Sequence, residues 1–288
     1  MPVAGLISVA ARSARRQLEV RPVIALAGAV AVIVTLAMFS RAPHAQDATS
    51  TGDLSERAFA AMQSGDLATA AQMFQELGDQ GVPQGYTMLG QIKRDLGDNS
   101  DAARWFERGA EDGDLLAMLE GGEILSDPKF GIVDARRAFK LWQSAAERGA
   151  ARGQYEAGRS LMIGQGVRKD DLSGADWLEK SARQCFAPAQ LAYALALREG
   201  RGRQANGEEA FSWIIAAERS SDDWQSEDLE RLSTLEREIS AYMSTEQVER
   251  SYCNGLELLA SGCGNASILF QIERWLVCAD DRQAGARP

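Results

Sequence analysis

Asp134-Ala-Arg-Arg-Ala-Phe-Lys-Leu-Trp-Gln-Ser-Ala-Ala-Glu-Arg-Gly149 reads as one complete helix with a signal at each end. Asp134 is a preferred N-cap, because its carboxylate accepts the unpaired N–H groups of the first turn. Ala138, Trp142 and Ala145 or Ala146 fall at i, i+4 and i+7/8, which gives the helix one apolar face. Gly149 stands at C′, where a left-handed residue closes the helix. A second helix follows over Ala151 to Ile163 and carries Gly158 in its interior. A glycine there costs about 1 kcal/mol against alanine, so it predicts a close helix–helix approach. A turn with Gly164 and Gly166 ends the pair, and Gly200 and Gly202 repeat it 36 residues later.

The same columns recur outward from this stretch. The cap is Asp66, Asp98, Asp134, Asp170 and Asn206, in steps of 32, 36, 36 and 36 residues. Four residues after each cap comes a small side chain: Ala70, Ala102, Ala138, Gly174 and Ala210. Eight after comes a large apolar knob: Phe74, Phe106, Trp142, Leu178 and Ile214. Fifteen after stand Gly81, Gly113, Gly149, Cys185 and Ser221, and twenty-four after stand Gly90, Gly122, Gly158 and Ala194. A period of this length marks stacked helical hairpins, since one hairpin cannot bury its apolar face alone. Such arrays generally bind other molecules through their extended surfaces.

These stretches, with Gln154-Tyr-Glu-Ala-Gly-Arg-Ser-Leu-Met-Ile-Gly-Gln-Gly-Val-Arg-Lys-Asp170, Trp177-Leu-Glu-Lys-Ser-Ala182 and Trp105-Phe-Glu-Arg-Gly-Ala110, resemble the Sel1-like repeat family, a relative of the tetratricopeptide repeats. The resemblance covers roughly residues 53 to 220 and implies an all-α fold: a right-handed α-solenoid. The first unit is shorter and closer to a plain tetratricopeptide repeat, and Pro128 stands in the Asp127–Val133 turn where the family usually has glycine. The expected organisation is a basic segment 1–22, an apolar segment 23–39, a flexible tether 40–53, the solenoid 54–221, capping helices 222–280 and a disordered tail 281–288.

Net charge is −10, and residues after 41, with 26 basic and 40 acidic side chains, stand at −14. An acidic body argues against nucleic acid, whose phosphates need a basic face. Residues 23–39 carry no charge and follow Arg12, Arg15, Arg16 and Arg21, so the N-terminus is expected to stay cytoplasmic and the rest to be exported. The apolar stretch reads either as a cleaved signal peptide, with Ala45 as the best cleavage position, or as a membrane anchor at the short limit of a span. The expected destination is the bacterial periplasm, soluble or anchored to the inner membrane; the endoplasmic reticulum lumen is the alternative.

Four cysteines in an exported chain raise the prospect of disulfides. With helices read over 245–261 and 266–279, Cys253 to Cys278 is the easier bridge, leaving Cys185 with Cys263 or both free. The segment Asp222 to Met243 departs from the repeat beat: Trp224, Leu229, Leu232, Leu235, Ile239 and Tyr242 form a stripe among charges. It reads as a cap for the solenoid or as a partner-binding helix.

His44 is the one histidine. That removes a Ser-His-Asp triad, a Cys-His pair and a histidine-based metal site from the repeat region. No catalytic residue, metal ligand or cofactor is expected. Asp170-Asp171 and Asp222-Asp223 stand at helix starts and read as caps. The polar residues most open to function are Arg94, Arg159 and Arg198, late on the helices that carry the Gly90, Gly158 and Ala194 columns. In similar folds those helices line the concave surface. With Gln91, Gln154, Tyr155 and Tyr193 they are expected to form a groove for a peptide carboxylate or an acidic segment of another protein. The function expected is a non-enzymatic protein-interaction module, an adaptor or regulator in envelope signalling or assembly. The alternative is a permanent scaffold subunit of a membrane complex, anchored by residues 23–39.

Overall fold

The capping column does in space what its chemistry predicts. In the computed structural model, which describes residues 45–220, 226–262 and 278, the side chains of Asp66, Asp98, Asp134, Asp170 and Asn206 each accept a hydrogen bond from the backbone N–H three residues on, at 3.1–3.3 Å. The described helices are α1 (Ala45–Gln63), α2 (Leu67–Asp79), α3 (Pro83–Asp95), α4 (Asn99–Glu111), α5 (Leu115–Ser126), α6 (Ala135–Glu147), α7 (Ala151–Ile163), α8 (Asp171–Arg183), α9 (Ala187–Glu199), α10 (Gly207–Ser220), α11 (Ser226–Ser240) and α12 (Thr245–Gly262). A single 3₁₀ turn, Pro128–Phe130, replaces the Gly-rich turn between α5 and α6. No strand occurs among the described residues.

The chain divides into two units at Asp53–Leu54. In the second, each helix from α2 to α10 packs on its sequence neighbours, so α2–α3, α4–α5, α6–α7 and α8–α9 stack as hairpins. The glycine column explains how they approach. A Cβ on Gly90 would lie 2.8 Å from the Phe106 ring, and one on Gly122 would lie 2.2 Å from Trp142 Nε1. One on Gly158 would lie 3.0 Å from Leu178 Cγ and from the Gly174 carbonyl. Each glycine is thus the hole for the knob of the next unit. Phe74, Phe106, Trp142, Leu178 and Ile214 are all buried, and full burial of such a side chain contributes about 1.5–3 kcal/mol. The C′ column is left-handed: φ is +85° at Gly81, +96° at Gly113 and +87° at Gly149. Cys185 adopts +63° in the same place without being glycine.

Past the repeats, α12 takes the next stacking position, against α10. A Cβ on Gly255 would meet the Ser212 carbonyl at 2.5 Å and Ile215 Cβ at 2.8 Å. Gln247 Nε2 donates to Glu208 at 2.7 Å, and Arg219 donates to the Tyr252 hydroxyl at 3.0 Å. Cys253 and Cys278 form the expected disulfide, with Cα atoms 5.7 Å apart. Cys185 is disulfide-bonded too, which closes the free-thiol alternative for it.

Two expectations change. The segment 40–53 is expected to be a flexible tether, yet α1 begins at Ala45; no proline lies between Pro43 and Pro83, and Ala45, Gln46 and Ala48 tolerate a helix well. In the 222–243 stripe, Leu232, Leu235 and Ile239 are buried, but Leu229 is 43% and Tyr242 93% exposed. Trp224, the apolar segment 23–39, all but Cys278 of the expected C-terminal helix 266–279 and the tail 281–288 lie outside the described residues. Among the described residues no helix is long and apolar enough to cross a membrane.

Candidate functional site

The second helix of each hairpin faces its counterpart: α3 touches α5, and α7 touches α9. These four helices make the inner face of the stack, the surface on which a groove is expected. Ion pairs cross it from unit to unit. Arg94 on α3 donates to Glu120 on α5, and its guanidinium lies 6.0 Å from the Phe106 ring centroid. Arg152 on α7 reaches Glu120 at 3.6 Å and also pairs with Glu123 on α5. Lys129 approaches Glu123 at 3.7 Å. Glu120 is the hub of this lattice, its side chain only 14% exposed. A carboxylate so buried needs the two guanidiniums beside it, since an unpaired charge there carries a heavy desolvation cost.

Next along the face, Arg159 lies 3.2 Å from Glu156, and its side chain keeps 45% of its exposure. Burial pushes the Glu156 carboxyl above its ordinary value, with Arg159 and Arg152 pulling the other way. Burial likewise raises the Tyr155 hydroxyl, whose ring packs edge-on against Phe186 with centroids 5.4 Å apart. Arg231 of α11 is close enough to act on Tyr155. Arg198 on α9 pairs with Glu238 of α11 at 3.0 Å and with Glu199 at 3.7 Å. So α11, which packs on α10, reaches toward α7 and α9 from the side of their inner face.

The seven predicted groove residues therefore separate. Gln91, Arg94, Tyr155, Arg159 and Arg198 are partly exposed, and the three helices they come from, α3, α7 and α9, belong to the inner face. Gln154 and Tyr193 are corrections: they are 6% and 2% exposed and line no groove. Gln154 is a tie between units. It accepts from Gln184 Nε2 at 2.7 Å and donates to the Ala146 carbonyl at 3.4 Å. Gln190, 36 residues on, repeats the tie by accepting from Ser220 at 2.6 Å and donating to the Ala182 carbonyl at 3.2 Å. Tyr193 packs edge-on against Trp213 at 5.6 Å, and burial chiefly, helped by Glu179 and Glu209, pushes its hydroxyl up to about 12. A tyrosine held so firmly neutral in a core is a packing residue.

Sequence reasoning missed Glu120, Glu123 and Arg152, which knit the inner face, and the placement of α11 beside it. The ties and ion pairs together form a polar surface, and among the described residues no group of three or more His, Cys, Asp or Glu side chains is gathered for a metal ion. Geometry of this kind defines an α-helical repeat scaffold.

Models of known families agree on which one. The Sel1 repeat model matches residues 67–114, 117–149, 151–184 and 187–222, just over half of the chain; the chain belongs to the Sel1 repeat family. Repeats of this family mark a protein–protein interaction module, and the fold is typically a non-catalytic scaffold. A comparison with curated proteins found no match. Among solved structures, the chain resembles a protective antigen of uropathogenic Escherichia coli with an SLR fold, at 19% identity and a TM-score of 0.58, over 77% of this chain and 44% of that one. It also resembles a Sel1 repeat protein from Oxalobacter formigenes, at 20% identity and a TM-score of 0.53, over 74% of this chain and 90% of that one. The chain thus spans less than half the length of the first of these, and both likenesses concern the fold.

Proposed function

We propose that this chain is an exported, non-enzymatic adaptor that takes an acidic or carboxylate-bearing segment of another protein on the inner face of its repeats. The observation that carries the reading is the exposed Arg159 beside a carboxyl that burial disfavours as an anion. A guanidinium whose built-in partner is a reluctant anion has capacity left for a better one, and bidentate geometry suits a carboxylate. Two further observations support export. Cys253–Cys278 is bridged and Cys185 is disulfide-bonded, as suits an oxidising compartment. Residues 23–39 are uncharged behind four arginines. The process served would be envelope signalling or assembly, with the repeats on the periplasmic side.

Cross-linking and mass spectrometry of the natively tagged chain tests this and reads the mature N-terminus in the same data. Arg159→Glu is expected to abolish capture of the main cross-linked partner while the melting temperature stays within a degree or two. Undiminished capture would retire the inner face as the binding surface. Retention of residues 23–39 in the mature protein would favour the anchored scaffold subunit over the soluble adaptor.

A further inference from the structure

The contact between α9 and α11 is unlike the other helix–helix joints. Three of the repeat joints close on a glycine, the fourth on the small Ala194, and the α10–α12 joint closes on Gly255. α11 has no such closure onto α9. Besides packing on α10, it buries Leu232, Leu235 and Ile239, spaced i, i+3, i+7 on one helical face, and pairs its Glu238 with Arg198 of α9. A cleft of about 590 Å³ remains between it and α9, lined by Leu195, Arg198, Glu199, Arg231 and Leu235 among others. A second, of about 480 Å³, opens where the α9–α10 turn meets the end of α11, beside the exposed Tyr242. Leu229 extends the same stripe outward in the open. α12 is fastened to α10 by hydrogen bonds of its own, Gln247 to Glu208 and Arg219 to Tyr252, so α11 can leave without breaking them.

We infer that the inner face of α7 and α9 is a helix-receiving groove and that α11 is its resident occupant, displaced when a partner helix enters. The partner chemistry follows from what α11 shows the groove. It is an amphipathic helix with apolar residues at i, i+3 and i+7 and a carboxylate immediately before the last, read by Arg198 as Glu238 is now. The inference deepens the protein-binding reading and rests on it. A groove filled from within binds an outside helix more weakly, by the fraction of time it stands open. Loosening α11 therefore tightens the partner.

The test uses the full chain and a fluorescent peptide with the sequence of residues 226–240. Glu238→Arg sets two guanidiniums against each other and is expected to raise the peptide's affinity at least tenfold over wild type. A peptide that itself carries Glu238→Arg should lose that binding and regain it on an Arg198→Glu chain, whose own Glu238 is repelled in turn. Amide exchange in wild-type α11 should run at least a hundredfold faster than in α12, and faster still on adding partner or peptide. Equal peptide affinity for wild type and Glu238→Arg, or α11 amides as protected as those of α12, would overturn the gate. So would loss of a cooperative melt in Glu238→Arg, which would make α11 part of the indispensable core. Partner capture with α11 protection unchanged would sink the gate alone and leave protein binding standing.

Discussion

The joint between α5 and α6 and the seat of α11 against α9 and α10 both bury large apolar side chains, by opposite means. At the first, Gly122 vacates the space that Trp142 fills, and a single added methyl group would collide at 2.2 Å. At the second, three aliphatic side chains rest on a surface with clefts left beside them. The contrast separates structure from occupancy. A joint made by mutual shape has one solution and is felt by the whole stack. A seam made by a stripe and one ion pair is the kind of contact any similar helix could make.

The largest effect that would sharpen this contrast is expected from Trp142→Ala. Truncating a buried aromatic costs about 3–5 kcal/mol, and urea unfolding should show the whole transition shifted. A midpoint unchanged from wild type would break the register of the repeats described above. Leu232→Ala removes a side chain equally hidden, at 2% exposure. Yet a segment that opens by itself transmits to global stability no more than its own docking energy. The global midpoint should move by less than about 1 kcal/mol while α11 amides exchange faster. A loss as large as that of Trp142→Ala would erase the distinction.

The smallest effect expected is a pH dependence at the inner face. The folded state raises the Glu156 carboxyl above its ordinary 4.5. Its contribution to stability is therefore fully present below 4.5 and lost as pH rises through the folded value. Asp170 and Asp171 work in the opposite sense. Their carboxyls are held low, by the Ser173 amide and hydroxyl and by Arg201 respectively, so what they contribute is lost as pH falls through those low values. Glu156→Gln should leave stability near pH 4 almost unchanged and raise it at pH 7, read as paired urea midpoints. A gain no larger at pH 7 than at pH 4 would show that the carboxyl is not disfavoured there.

Most of the fold was legible because each column obeys a local rule that repeats. An N-cap, a C′ glycine and a knob facing a glycine need no knowledge of distant partners, and the spacing itself supplied the stacking. The site was legible only in part. Gln154 and Tyr193 looked available because they are polar, and polarity in a sequence does not reveal burial. The recurrence of Gln154 as Gln190 was the available sign that the residue ties one hairpin to the next. The position of α11 had no such sign. Its stripe says that it covers something, and both readings of it, cap and binding helix, came from that fact. Which surface it covers is set by tertiary contacts that no periodicity encodes.

The pairing of a vacancy with a knob also limits how this chain could be shortened, extended or rearranged. The joints at Gly90, Gly122 and Gly158 leave no side chain to object to what faces them, so a Phe, Trp or Leu from another unit could be received there. The last joint carries Ala194 instead, itself wholly buried, and by the same offset it faces Ile214. Modules could therefore be traded among the first three positions, whereas the fourth would refuse a tryptophan. The array has a direction, and any duplication that lengthened it would have to enter upstream of Ala194.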